Sequence, residues 1–206
     1  MIISELHKFI FVAIPKTGTH SVRRALREHM GPQDLEQVGL FVQRQLPIPE
    51  LARIGHGHIS LAQLRPYLKP EEFESFFKFA FVRNPFDRFV SYASFITREV
   101  GHFDRDPQKV MRYFIANPPM DHILFRPQHE LVTDGKGELL TDYVGRVEQM
   151  QESYDTVAAK IGIPTAVLDK VNASKRLDYR QYYDQALIDG VAKLYARDLE
   201  LFGYEF

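Results

Sequence analysis

Residues 8–21 read KFIFVAIPKTGTHS, and the fold follows from this stretch. Its first part, Lys8 to Ile14, is a near-continuous apolar run rich in β-branched and aromatic side chains and bounded by Pro15. Such a run fits a strand buried on both faces, as the central strands of parallel sheets are. After the loop PKTGTHS comes VRRALREHM, in which Val22, Ala25, Leu26 and Met30 recur at helical spacing before Gly31 ends the pattern. Strand, tight loop and helix in that order are the opening unit of an α/β fold. The loop has the parts of an anion site: Gly18 lets backbone amides approach, Thr17, Thr19 and Ser21 add hydroxyl donors, and the helix presents its positive end. Lys16 adds a full charge. Taken alone, the same residues also suit a strand-to-helix turn with an incidental lysine.

A second strand–loop–helix pattern lies at residues 77–92, FKFAFVRNPFDRFVSY. FKFAFVR is again a buried-strand run, Asn84 is suited to cap a helix and Pro85 to open it, so the spacing predicts a helix from there through Val100. Arg83 stands at the strand end and Ser91 follows eight positions later in the helix. A planar guanidinium fork and a hydroxyl suit phosphate oxygens. Two such sites imply a ligand phosphorylated at both ends, while a surface ion pair of Arg83 with Asp87 and a solvated Ser91 are equally good readings of the residues alone.

Between these units, a short strand is expected to end at IGHGHIS (54–60), followed by an amphipathic segment broken by Pro66. Residues 32–54 carry Pro32, Pro47 and Pro49 and show no clear period beyond a possible short helix. Downstream, DPQKVMRYFIAN is expected to be a helix capped by Asp106, within a stretch from 101 to 137 that otherwise has no clean period and reads as a substrate-facing insert. A short strand at 143–147, a helix stopped by Gly162 and Pro164, and a last helix over 184–201 complete the chain. The expectation is one domain over residues 1–206, with a mostly parallel sheet flanked by helices and ligands at the carboxyl ends of its strands.

Composition narrows the function. The chain has 206 residues, a net charge of −1 and no cysteine. No global basic field favours nucleic acid, so an anion site must be built locally. Disulfides, thiolate zinc sites and a cysteine nucleophile are excluded. The early apolar run is too short to span a membrane, and Glu5, His7, Lys8 and Lys16 around it do not suit a signal peptide, so a cytoplasmic protein without membrane attachment is expected. No heptad or exposed apolar stripe indicates an oligomeric state.

The segments FIFVAIPKTGTHSV and FAFVRNPFDRFVSY together resemble the 5′-phosphosulfate loop and the 3′-phosphate motif of the sulfotransferases that use 3′-phosphoadenosine-5′-phosphosulfate (PAPS), whose fold is P-loop NTPase-like. His56-Gly57-His58-Ile59-Ser60 resembles the HGH segment of the heparan sulfate and uronyl 2-O-sulfotransferase branch, sulfotransferase family 2. DYVGRVEQM, NASKR and YARDLELFGYEF resemble the tail of that carbohydrate group. The resemblance implies Lys16, Thr17, Gly18, Thr19 and Ser21 as the 5′-phosphosulfate site and Arg83 and Ser91 as the 3′-phosphate site. His20 departs from the pattern, which more often has a small hydroxyl residue there; it either touches donor or acceptor or points away. Lys175, or Arg176 beside it, is a candidate to close over the nucleotide.

The implied chemistry is in-line sulfuryl transfer from PAPS, leaving 3′-phosphoadenosine-5′-phosphate (PAP), to an acceptor hydroxyl of a carbohydrate or small metabolite. Lys16 would neutralise charge on the leaving phosphate, His58 would take the hydroxyl proton, and His56 would be its neighbour or a substrate contact. Without the resemblance, HGH reads more simply as a loop histidine and its structural partner. No metal is expected, because no carboxylate completes a ligand set around the histidine pair. His122 and His129 are further candidates for the acceptor cleft. The competing readings are a P-loop nucleotide kinase using ATP and magnesium, opposed by the order of Lys16 before Gly18, and a non-catalytic nucleotide-binding protein, opposed by the presence of both Lys16 and His58.

Overall fold

In the computed structural model, which describes residues 1–39, 44–168 and 177–206, the run at 8–14 forms the middle strand of a five-stranded sheet. The strands are β1 (Ile2–Ser4), β2 (Phe9–Val12), β3 (Leu35–Glu36), β4 (Phe77–Val82) and β5 (Tyr143–Arg146), in the order β3-β1-β2-β4-β5. The helices are α1 (Thr19–Arg27), α2 (Pro49–Ala52), α3 (Leu61–Leu64), α4 (Pro70–Ser75), α5 (Pro85–Ile96), α6 (His102–Arg105), α7 (Pro107–Ala116), α8 (Met150–Ile161), α9 (Gln185–Leu194) and α10 (Ala196–Phe202). The expected α/β architecture is present. The sheet is mixed: β2, β4 and β5 run parallel, while β1 pairs antiparallel with both β2 and β3. The strands that feed the two candidate loops, β2 and β4, are thus parallel neighbours.

The chain gathers into two compact units, Met1–Val82 with Gln128–Val171, and Arg83–Pro127 with Asn172–Phe206. In the first, α1 and α8 bury Val22, Ala25, Leu26, Tyr154, Val157, Ala158 and Ile161 against the sheet face that carries Phe9, Phe11, Ala13, Phe79 and Phe81. The alternate residues Ile10, Val12, Ala80 and Val82 are buried too, which is why both strands read as continuous apolar runs rather than as alternations. Lys78 interrupts that pattern and is reconciled to burial by the carbonyls of Phe73 and Phe76 and the carboxylate of Asp142, 3.1 Å away. Gly145 in β5 admits α8 closely: a Cβ there would lie 2.8 Å from Ser153 Cβ and 2.9 Å from Phe81.

The second unit is helical and built on aromatics, with Phe86, Phe89, Tyr92, Phe114, Phe125 and Tyr195 among its core residues. Asn84 accepts from the Phe86 amide with Pro85 at the first helical position, and Asp106 accepts from the Lys109 amide, as the two caps predict. Arg88 is fully buried, donating to the carbonyls of Leu124 and Arg126 and lying over the Tyr195 ring.

The structure departs from expectation in three places. Among the described residues, no strand ends at HGH; residues 53–60 are turns and extended chain anchored by side-chain bonds described below. The final helix is broken at Tyr195 into α9 and α10. The helix opened by Pro85 ends at Ile96 rather than Val100, whereas the predicted break at Pro66 is present as a 3₁₀ turn, Arg65–Tyr67, directly after α3. Among the described residues, no helix is long and apolar enough to cross a membrane.

Candidate active site

The loop after β2 turns through two left-handed residues, Lys16 at φ 67° and Gly18 at φ 71°. For glycine this conformation carries no steric penalty, whereas for lysine it costs about 1–3 kcal/mol, a strain characteristic of ligand-binding loops. Gly18 is the N-cap of α1 and offers no side-chain acceptor, and no acidic residue stands in the first turn. No side chain of Gly18 caps the helix, whose positive dipole end lies at the loop, a setting that favours an anion.

Thr17 is tied into the loop itself. Its hydroxyl donates to the Ile14 carbonyl at 2.9 Å, and the side chain is buried, so it staples the loop and leaves only its backbone for a ligand. Thr19 and Ser21 are also largely buried, each about 8% exposed. Ser21 donates its amide to the Gly18 carbonyl at 3.1 Å, closing the first turn. His20 is half-buried, and its pKa is lowered first by that burial and then by Arg23, Arg27 and Lys16, which keeps it neutral beside the loop.

The HGH segment is tied to the same strand end. His58 Nδ1 lies 2.6 Å from the carbonyl oxygen of Ala13, the residue after β2. A carbonyl only accepts, so Nδ1 carries the proton and Nε2 the lone pair. Burial pushes the His58 pKa down to about 3, against the opposing effect of the Ala13 bond and with smaller contributions from nearby cations and His56. His58 is therefore a neutral imidazole of fixed tautomer at neutral pH. His56 accepts the His58 amide on Nδ1 at 3.3 Å, its ring 5.7 Å from that of His58. Ser60, ending the segment, caps α3 in a reciprocal capping box with Gln63.

Two residues that the sequence did not single out hold this segment in place. Arg23 on α1 is buried and donates Nη2 to the carbonyls of Gln37 and Gly57, each at 3.2 Å. The buried Gln37 side chain donates to the carbonyls of Leu51 and His56 and accepts from the Leu46 amide. Gly57 is glycine for lack of space: a Cβ would collide with the Gln37 carbonyl oxygen and Arg23 Nη2. The one sequence signal for Arg23 is its position between Val22 and Ala25 in the apolar pattern of α1.

In the second unit, Arg83 is half-buried and paired with Asp87, Nε to Oδ2 2.6 Å. The ion pair read from the sequence is present, and it holds the guanidinium in a defined orientation. Ser91 is half-buried on α5. His122 accepts the Leu124 amide on Nδ1 and packs against Tyr92, which gives it a local structural role. In the first unit, His129 begins a 3₁₀ turn and lines an open depression of about 400 Å³ with Glu130, Thr133 and Asp134. Lys175 and Arg176 lie outside the described residues.

A protein-family model described as the sulfotransferase family matches residues 1–205. No curated protein and no solved structure gives a significant match.

Proposed function

Because the chain belongs to the sulfotransferase family over nearly its whole length, we propose that it moves a sulfuryl group from PAPS to a hydroxyl of a carbohydrate or small metabolite, with His58 as the base. The observation that carries this reading is the bond from His58 to Ala13, because it sets a proton acceptor at the strand end that opens into the Lys16 loop. PAPS supplies an activated sulfuryl group on a phosphate leaving group. Its 5′ end suits the loop of the first unit, where left-handed Lys16 and Gly18 lead into the positive end of α1. Its 3′-phosphate suits a guanidinium fork, which Arg83 provides in the second unit.

Each residue then has a stated task. Lys16 neutralises charge developing on the leaving phosphate oxygen, an electrostatic effect stronger in the transition state than in the ground state. His58 Nε2 accepts the proton of the attacking hydroxyl. Its depressed pKa in the free protein makes it a weak base, but anionic charge placed beside the loop favours the imidazolium and moves the pKa back toward its ordinary value near 6.5. His56, hydrogen-bonded to the His58 amide, keeps the segment in register. Thr17 shapes the loop, while Thr19, Ser21 and the backbone at Gly18 surround the anion.

Thermal unfolding with PAP in EDTA, beside ATP with magnesium, tests the donor assignment. Ligand at a hundredfold its dissociation constant adds about 2.7 kcal/mol, or roughly 5–10 °C for a chain of this length. The reading predicts that shift with PAP alone. Stabilisation by ATP with magnesium and none by PAP would instead favour a nucleotide kinase.

A further inference from the structure

The candidate base is held by a network that begins on the helix of the donor loop. Arg23 lies one turn after Thr19 on α1 and reaches the Gly57 carbonyl, between the two histidines, with the same Nη2 that binds the Gln37 carbonyl. The Gln37 side chain grips the neighbouring His56 carbonyl at 3.0 Å. The His58 ring is fixed to Ala13, and buried Ile59 and the Ser60 capping box close the far side. The five residues His56 to Ser60 are thus tied to α1, to Gln37, to the end of β2 and to the start of α3.

We infer that Arg23 is a positioning residue for His58: its Nη2, shared between the Gly57 and Gln37 carbonyls, sets the backbone from which the His58 ring reaches Ala13, and so selects the tautomer with a free Nε2. This rests on the proposed role of His58 as base. The reasoning is geometric. A lysine ammonium is a point donor on a flexible stem, whereas the guanidinium serves both carbonyls from one rigid group. Gly57 leaves no side chain between Nη2 and the backbone, and the Met1 amino group donates to the same two carbonyls, so a shift of Arg23 is felt at the peptide preceding His58 through a point that both cations hold. A merely structural arginine would lower stability when removed and leave the imidazole unchanged. The charged and titratable groups acting on His58 are the Met1 amino group, Arg23 and His56; each lowers its pKa, after burial as the largest cause.

The test is long-range proton–nitrogen correlation NMR of the full chain labelled with ¹⁵N-histidine, the His58 signals being assigned by their loss in His58→Gln. Wild type, Arg23→Lys and Arg23→Met are compared from pH 4 to 8, with calorimetric PAP binding as a separate readout. Wild type is expected to show a single Nδ1–H tautomer that does not titrate across this range. Both variants are expected to show exchange between tautomers, and in Arg23→Met the ring titrates at about pH 5 or above as burial and a neighbouring cation are lost. PAP affinity is expected to stay within about threefold of wild type, since Arg23 touches neither anion loop. A wild-type His58 pattern in the variants overturns the inference. If Arg23→Met fails to fold, Arg23→Lys, which keeps the charge and the stem, is judged by the same criterion. Absence of PAP binding to wild type would overturn the donor reading alone, because the tautomer comparison is made on the free protein.

Discussion

The Nδ1 of His58 donates to the carbonyl oxygen of Ala13 at 2.6 Å, across 45 positions of sequence. The backbone at the end of β2 therefore decides which imidazole nitrogen is available, and the same strand end leads into the Lys16 loop. Replacing His58 by Gln keeps a donor to Ala13 while removing the basic nitrogen. Turnover is expected to fall by about 10²–10⁴, the usual contribution of a general base, with PAP affinity little changed. Transfer from radiolabelled PAPS to a hydroxyl acceptor found by screening, measured beside PAP calorimetry, checks both halves.

The depressed pKa of His58 also affects stability. Its folded-state value of about 3 lies below the ordinary 6.5, so the unfolded chain binds the proton more readily. The sign follows: this contribution to stability is complete above about pH 6.5 and is lost as pH falls toward 3, a span of about 5 kcal/mol. His20, also lowered, acts in the same direction. Urea unfolding between pH 4 and 7 is expected to show stability rising with pH, and a shallower slope in His58→Gln. Equal slopes for the two proteins would mean that His58 titrates normally.

Lys16 offers a test that separates stability from binding. Its φ of 67° suits glycine, so Lys16→Gly relieves backbone strain worth about 1 kcal/mol, partly offset by the greater freedom of glycine in the unfolded chain. The free variant is expected to melt at or up to about 4 °C above wild type. Its stabilisation by PAP is expected to be largely lost. Lys16→Ala, which keeps the strain and loses the charge, serves as the control and should melt no higher than wild type.

Much of this site is legible in the sequence because the signals are local. The run Phe9 to Ile14, the loop around Gly18 and the cap at Asn84-Pro85 each depend on residues within one turn or strand, and each appears where periodicity and capping place it. Arg23 and Gln37 are different: their partners lie 34 and 19 positions away, at Gly57 and His56, and an arginine on a helix face reads as solvated surface until its carbonyl partners are seen. The missing strand before HGH has the same origin, since that segment takes its hydrogen bonds from side chains rather than from a neighbouring strand. Thr17 shows the limit at a single residue: its type suits phosphate binding and loop closure equally, and the 2.9 Å bond to Ile14 shows that its hydroxyl serves the second.

Arg83 predicts a discrimination rather than a simple loss. If its fork takes the 3′-phosphate, wild type binds PAP more tightly than adenosine 5′-monophosphate, and Arg83→Met lowers that preference by about 10- to 100-fold, the worth of a charge-assisted hydrogen bond to phosphate. Affinity for the monophosphate should stay nearly constant, because its only phosphate belongs to the Lys16 loop. Calorimetric titration of the two nucleotides into both proteins gives the ratio. A proportional loss of both affinities would point to a disturbed fold around Asp87 instead.

Arg88 tests the second unit as a structure. Its guanidinium is fully buried, bonds the carbonyls of Leu124 and Arg126, and is stabilised by Asp198, itself 0% exposed. Burial is the largest influence on its pKa and lowers it, while Tyr195 and Asp198 oppose that shift. Arg88→Met fills similar space but strands two carbonyls and removes a buried charge that acts favourably with Asp198, which is expected to cost about 3–5 kcal/mol. Tyr195→Phe loses the bond its hydroxyl donates to the Phe125 carbonyl, 2.8 Å long, and the one it accepts from Arg88, and is expected to cost about 1–3 kcal/mol. The two residues brace one segment, so the double variant should cost less than the sum of the single ones. Urea midpoints of the four proteins measure that coupling, and strict additivity would mean that Arg88 and Tyr195 hold the segment independently.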